Sequence, residues 1–266
     1  MSATLRVDGL SRHFGGVHAI TDLTFEIRSG TVHSIIGPNG AGKTTLINLL
    51  TGVYAPSAGR VTLDGVELGG QPPHRFAAAG IGRTFQNLQI FFNMTVLENV
   101  MTGRHHLERA SLVAALLHTP RLARIERESR ERSLDWLRFL DLAAYADSAA
   151  DSLSYGALKR LEIARALAGE PRLLLLDEPA AGLNPTEAME IDTLIKRVAA
   201  TGTTVVLVEH NMRLVMGVSD HILVLDHGRK LVEGTADQVR HDPRVIEAYL
   251  GAAGAPGAEP AEACNA

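Results

Sequence analysis

The chain has 266 residues, 45% of them hydrophobic and 21% charged, a composition that suits a soluble globular protein with one sizeable core. A formal net charge of −4 offers no electrostatic footprint for nucleic acid, which is not expected as a partner. The only cysteine, Cys264, excludes a disulfide framework and a cysteine-based metal site, and fits a reducing compartment.

The opening residues MSATLRVDGL lack the basic and apolar segments of a signal peptide, and no apolar run approaches the roughly 18 residues of a membrane span. A cytoplasmic protein is therefore expected. Short alternating segments come first, at Leu5–Val7, Ile20–Ile27 and Val32–Ile36, followed by VTLDGVEL at 61–68 with a hairpin signal at Asp64-Gly65. This part is predicted to be antiparallel sheet. From about 88 to 168 the texture is helical, and Leu134, Trp136, Leu137 and Leu140 form a buried stripe. Within it, NLQIFFNMTVLENV sets Phe91, Phe92 and Met94 ahead of a helix capped at Thr95 with Glu98 as capping-box partner. RLARIERESRER at 121–132 mixes five Arg with three Glu and reads as a solvated face, with anionic lipid contact a lesser alternative. After Pro171 come RLLLLD, a helix from Pro185 to about Ala200, TTVVLVE, a short helix and HILVLD, the pattern of a parallel sheet covered on both faces. The small-residue, proline-rich tail at 252–266 is expected to be disordered.

Two segments carry chemistry. GPNGAGKTT at 37–45 matches the phosphate-binding pattern between a strand, VHSII, and a helix, LINLL. Gly37, Gly40 and Gly42 let the backbone of Gly37, Pro38, Asn39, Gly40, Ala41 and Gly42 curl so that its N–H groups face phosphate oxygens. The helix opening at Lys43, Thr44 and Thr45 adds the positive end of its dipole. Lys43 is expected on the β- and γ-phosphates and the Thr44 hydroxyl on Mg²⁺. The second segment, RLLLLDEP, ends a strand with Asp177, suited to Mg²⁺, and Glu178, suited to polarising a water that attacks the γ-phosphate.

In order along the chain, GPNGAGKTT, RTFQN, LSYGALKRLEIARAL, LLLLDEP and VVLVEH resemble the ATP-binding subunit of ABC transporters, over residues 4–250. The resemblance implies an α/β P-loop NTPase fold of the ABC type: a mostly parallel core sheet flanked by helices, an N-terminal antiparallel β subdomain and a helical subdomain. Residues 1–251 would be one ATPase domain, with 1–87 and 169–251 as nucleotide-binding core and 88–168 as the helical signature subdomain. It also implies ATP and Mg²⁺ as ligands, Phe14 as the aromatic stacked on adenine, Gln86 as a ligand of Mg²⁺ and the attacking water, and His210 as a switch near the γ-phosphate. By sequence alone Phe14 suits a core position equally well, Gln86 an exposed loop and His210 a structural strand end. LSYGA stands for the family signature, so Ser154 and Gly156 would bind the γ-phosphate held by another subunit. Tyr155, Ala157 and Asn184 depart from the commonest family residues, Gly, Gln and Asp.

Phrases such as RHFGGVHAI, LDEPAAGLNP and DPRVIEAYLG are most similar to ATPases of bacterial branched-chain amino-acid importers. That resemblance implies membrane permease subunits as partners, a second ATPase subunit (a copy or a related chain), an indirect substrate-binding protein, and a place at the cytoplasmic face of the membrane. Phe91, Phe92 and Met94 would then dock a permease helix, core burial being the alternative. Relatives serving urea or other amides share much of this wording, and a lipid cargo is a further alternative. A soluble ABC-type ATPase acting on DNA or ribosomes is disfavoured, because the chain has no second ATPase domain, coiled coil or zinc module.

Overall fold

The computed structural model describes residues 4–107 and 120–253. Strand β1 (Leu5–Phe14) folds back on β2 (Val17–Ile27), while β4 (Ala58–Leu63) takes its other edge and the short β5 (Val66–Glu67) follows, all antiparallel. The turn expected at Asp64-Gly65 forms, with φ 49° and 80° at the two residues, the positive pair of a type I′ hairpin.

Val32–Ile36, expected in this antiparallel group, instead forms β3 between β8 (Thr204–Val208) and β9 (His221–Asp226), parallel to both. The polar letters of VHSII mislead, because His33 and Ser34 are buried. Ser34 Oγ shares a hydrogen bond with Ser219 Oγ at 2.6 Å, and the His33 ring meets that of His221 edge-on at 5.2 Å. A strand buried at every position belongs in the middle of a sheet covered on both faces.

That sheet runs β10-β9-β3-β8-β7-β6, with β6 (Ile81–Arg83), β7 (Leu173–Asp177) and β10 (Arg229–Gly234); of the described strands in it only β10 is antiparallel. Side-chain parity builds the layers. Leu173 and Leu175, Val206 and Val208, Leu223 and Leu225 share a core with α1 (Lys43–Leu50), α2 (Pro73–Ala78) and the antiparallel sheet. Their neighbours Leu174, Leu176, Val205 and Leu207 face α3 (Val96–Thr102), α5 (Tyr155–Ala168) and α6 (Pro185–Ala200). Ile36, Ile222 and Val224 pack against α7 (Met212–Val218), α8 (Ala236–Arg240) and α9 (Pro243–Ala253). Each such side chain contributes roughly 1.5–3 kcal/mol by leaving water. The two sheets are stitched where Thr21 N–H donates to the Gly228 carbonyl at 2.8 Å and Lys230 Nζ to that of Thr24 at 2.7 Å.

The helical layer follows its sequence signals. Thr95 and Glu98 form the expected capping box of α3. On α4 (Pro120–Phe139), Leu137 is fully buried and Leu134 and Trp136 pack partly, with Leu140 buried just beyond the helix. Arg121, Arg124, Arg127, Arg130 and Arg132 are all exposed, as a solvated face requires. Of the tail expected to be disordered, residues 252–253 instead end α9, and the rest, from 254, lies outside the described residues.

Burial pulls the pKa of His33 from 6.5 down to about 3, helped by repulsion from His221. The unfolded chain takes up this proton near the ordinary value and the native chain only near the lowered one, so native stability falls as pH drops through that interval. Urea unfolding at pH ~7 and ~5 should therefore show an acid loss larger in the parent than in His33→Asn by on the order of 2 kcal/mol. Equal acid losses in the two proteins would disprove the assignment.

Candidate nucleotide site

The loop from Gly37 to Gly42 joins β3 to α1, and its path leaves no room for side chains at two points. A Cβ on Gly37 would lie 2.2 Å from the Leu225 carbonyl oxygen, and one on Gly42, where φ is 100°, 2.6 Å from that of Ala19. The loop is thus wedged between β9 and β2. Buried Ala41 donates its N–H to the Pro38 carbonyl at 3.1 Å and accepts from Gly228 N–H at 3.0 Å. Asn39, Gly40 and Thr44 are exposed on the rim, whereas Pro38, Lys43 and Thr45 are half-buried. Helix α1 starts with no side-chain cap and no acidic residue in its first turn, which leaves its leading amides for an anion. Lys43 Nζ folds back onto the loop, donating to the carbonyls of Gly37 at 2.6 Å and Pro38 at 3.1 Å. Burial lowers the Lys43 pKa, and the negative charges of Glu178 and Asp177 oppose that shift.

Asp177 closes β7 on the same side of the sheet as α1. Burial raises its pKa, and Arg83 opposes the shift by charge and by a hydrogen bond of 3.2 Å to Oδ2. Arg83 is itself tied to α1 and its end through Asn48 Oδ1 at 2.7 Å and Thr51 Oγ1 at 3.1 Å. The sequence motifs do not single out Arg83. Its place as the first residue of RTFQN is the only signal.

Glu178 sits just past the strand with φ 50°, an unusual angle for a non-glycine residue, held by its N–H donating to the Val208 carbonyl at 2.8 Å. Its carboxylate accepts from Gln86 Nε2 at 3.0 Å and lies 3.8 Å from His210 Nδ1. Three residues singled out on three separate segments, the loop after β6, the end of β7 and the loop after β8, therefore meet. Glu209, not singled out, makes the joint beneath them. Its buried carboxylate accepts from the N–H groups of Ala180 at 3.1 Å, His210 at 3.1 Å and Asn211 at 3.3 Å, which offset the rise in pKa that burial causes.

Phe14 lies near the β1–β2 hairpin, part-exposed at 39% rather than in the core. The Arg12 guanidinium stacks 4.4 Å from its ring centroid and Tyr54 meets its edge at 5.2 Å, which backs the ring while leaving surface for another π-system. Ser154 caps α5, its Oγ accepting from Ala157 N–H at 3.3 Å, and remains exposed. Among the described residues no hydrogen bond or ion pair joins Ser154 or Gly156 to residues 37–45; Gly156 abuts Glu187 and Tyr155 OH donates to the Ala181 carbonyl at 3.3 Å. Asn184 caps α6, accepting from the N–H groups of Thr186 and Glu187, both at 3.0 Å.

Comparison with known proteins agrees with this geometry. Residues 20–181 match the family model for the ABC transporter, and residues 229–255 a model described as branched-chain amino acid ATP-binding cassette transporter. The chain is 46% identical over 250 residues, 94% of its length and 98% of the relative's, to the high-affinity branched-chain amino acid transport ATP-binding protein BraF of Pseudomonas aeruginosa. It is 44% identical, over the same shares of both chains, to the corresponding protein LivG of Escherichia coli. A crystal structure of an ATP-binding cassette of an ABC transporter in its ADP conformation superposes with a TM-score of 0.81 at 32% identity, covering 94% of this chain and 100% of the other. A family match over more than half of the chain, with relatives spanning nearly all of it, makes this protein a member of the ABC transporter family and one of its ATPase cassettes.

Proposed function

We propose that the protein is the ATP-hydrolysing subunit of a membrane importer for branched-chain amino acids, and that hydrolysis runs through Lys43, Asp177, Glu178, Gln86 and His210. The observation that carries this reading is the meeting of Gln86, Glu178 and His210 at the end of the strand beside the uncapped start of α1. The cargo follows from the branched-chain amino acid transport of these relatives and from the match over residues 229–255.

Loop amides and Lys43 bind the phosphate chain, and Phe14 takes the adenine. Glu178, fixed by its own N–H and by the Gln86 amide, orients a water and accepts its proton as the water oxygen bonds to the γ-phosphorus. The bond to the β–γ bridging oxygen breaks, leaving ADP and inorganic phosphate. His210 lies on the same carboxylate from the far side. The residues suit Mg²⁺: Thr44, Asp177 and Gln86 offer only oxygen donors, since the Gln86 amide nitrogen is engaged by Glu178. Bound there, Mg²⁺ would neutralise charge on the β- and γ-phosphates.

Ser154 and Gly156 serve a second ATPase subunit, which explains why the exposed start of α5 makes no bond to its own cradle. Residues 88–168 carry this surface, and 1–87 with 169–251 the cradle. Among the described residues no helix is long and apolar enough to cross a membrane, so transport needs permease subunits and a position at the cytoplasmic membrane face. A groove of about 560 Å³ beside Gln86, lined by Phe85, Leu88, Ile90 and Phe91, suits a permease helix, with Phe91 and Phe92 exposed at 46% and 50%.

Glu178→Gln should bind ATP, hydrolyse it at least about 100-fold more slowly and accumulate as ATP-dependent pairs in size-exclusion chromatography. Turnover at the parental rate would exclude the assigned role. Lys43→Ala should lose binding of a fluorescent ATP analogue by at least roughly tenfold, as a lost charge-assisted contact requires. An unchanged Kd would remove Lys43 from the cradle.

A further inference from the structure

Helix α5 carries charges where charge is costly. Lys159 is 2% exposed and Glu162 is 3% exposed, beside a cluster whose buried apolar side chains are aliphatic. Neither belongs to the machinery described above. Both face the loop that follows β6. Lys159 Nζ donates to the Gln86 carbonyl at 3.4 Å, Glu162 Oε1 accepts from the Phe85 N–H at 3.1 Å, and Arg165 donates to the Gln89 carbonyl. The Arg165 guanidinium also lies 5.7 Å from the Phe91 ring centroid. Burial raises the pKa of Glu162 and lowers that of Arg165, and each shift is opposed by the charge of the other group, with Lys159 and the Phe85 amide also supporting the Glu162 carboxylate.

The three hydrogen bonds each end on a main-chain atom, so they hold the loop's path whatever side chains the loop carries. One turn earlier on the same helix, Tyr155 OH reaches the Ala181 carbonyl at 3.3 Å, and a Cβ on Gly182 would lie 3.1 Å from its ring. Helix α5 therefore grips both segments that meet in the Gln86–Glu178 hydrogen bond: the loop bearing Gln86 and the turn after Glu178.

We propose that Lys159, Glu162 and Arg165 are positioning residues for hydrolysis, which register the Gln86 loop on α5 so that the helix offering Ser154 to a neighbouring subunit also sets Gln86 against Glu178 in its own. The proposal rests on the roles assigned above to Gln86 and Glu178.

The test is a set of steady-state ATPase measurements on the full chain, with binding of a fluorescent ATP analogue and thermal unfolding followed in parallel. Glu162→Ala should lower kcat about tenfold with KM for ATP within about twofold, as expected when a reacting group is misplaced and binding is not. Glu162→Gln retains an acceptor oxygen for the Phe85 N–H and should stay within about threefold of the parent. In a Gln86→Ala background, Glu162→Ala should cost less than about a further twofold, because the group it positions is already gone. A full tenfold loss in that background, or equal losses for Glu162→Ala and Glu162→Gln, would overturn the proposal and leave the charges as fold supports. Should Glu162→Ala fail to fold, Lys159→Met enters the same cycle, with non-additivity against Gln86→Ala supporting the proposal and additivity overturning it. Parental turnover in Glu178→Gln would sink the functional reading as well, and that variant distinguishes the wider failure from failure of the positioning role alone.

Discussion

The site depends on the register of a parallel sheet buried on both faces. Arg83 pairs with Leu175, Asp177 with Val208, and Val208 with Ile35. Strands that run in one direction release their following loops at one edge, so the Gln86 loop, the Glu178 turn, the His210 loop and the phosphate cradle emerge side by side. Parity then decides which side each group faces. Leu173 and Leu175 pack towards α1, and Asp177, two further on, turns the same way, towards Arg83 and the helix that follows the cradle. A slip of one residue in β7 would send that carboxylate into the helical layer and Leu176 towards the cradle. The apolar runs that seem to be mere filling are what prevent the slip.

Electrostatics divides the carboxylates into two kinds. Burial raises the pKa of Asp177, Glu162 and Glu209, and each is answered by donors fixed in the fold: Arg83 for the first, the Phe85 amide with two cations for the second, three loop amides for the third. Glu162 and Glu209 act as staples between segments far apart in sequence. Glu178 differs, since one amide nitrogen and an exposed histidine face it and its side chain is 20% exposed, so a water can reach it. The same chemical group thus holds loops together where fixed donors surround it and lies open to solvent where they are few.

How much was legible follows from how local each signal is. Close approach and a positive φ at the cradle are met by glycine within a few residues, and the capping box at Thr95 and Glu98 spans one turn, so both could be read directly. LLLLD and VVLV were legible as buried strands for the same reason, but which of their side chains face which layer was not. VHSII misled because His33 and Ser34 find their partners at His221 and Ser219, far along the chain. Arg83, Lys159, Glu162 and Glu209 were invisible on the same grounds. A charged letter reads as solvent-facing until the fold supplies a distant amide or counter-charge. Gln86 and His210 were located through family resemblance alone, and their common contact with Glu178 is a product of the sheet.

The departures from the commonest family residues make sense within the subunit. Asn184 accepts two amide hydrogen bonds at the start of α6, a task for which Asn and Asp are nearly equal, so the missing charge leaves the loop's shape intact. Ala157 is buried, and the Ser154 cap needs only its backbone N–H. Tyr155 adds a contact that glycine cannot make, tying the start of α5 to the Ala181 carbonyl and the face of Gly182. That contact holds the residue next to the exposed Ser154 hydroxyl beside the turn after Glu178.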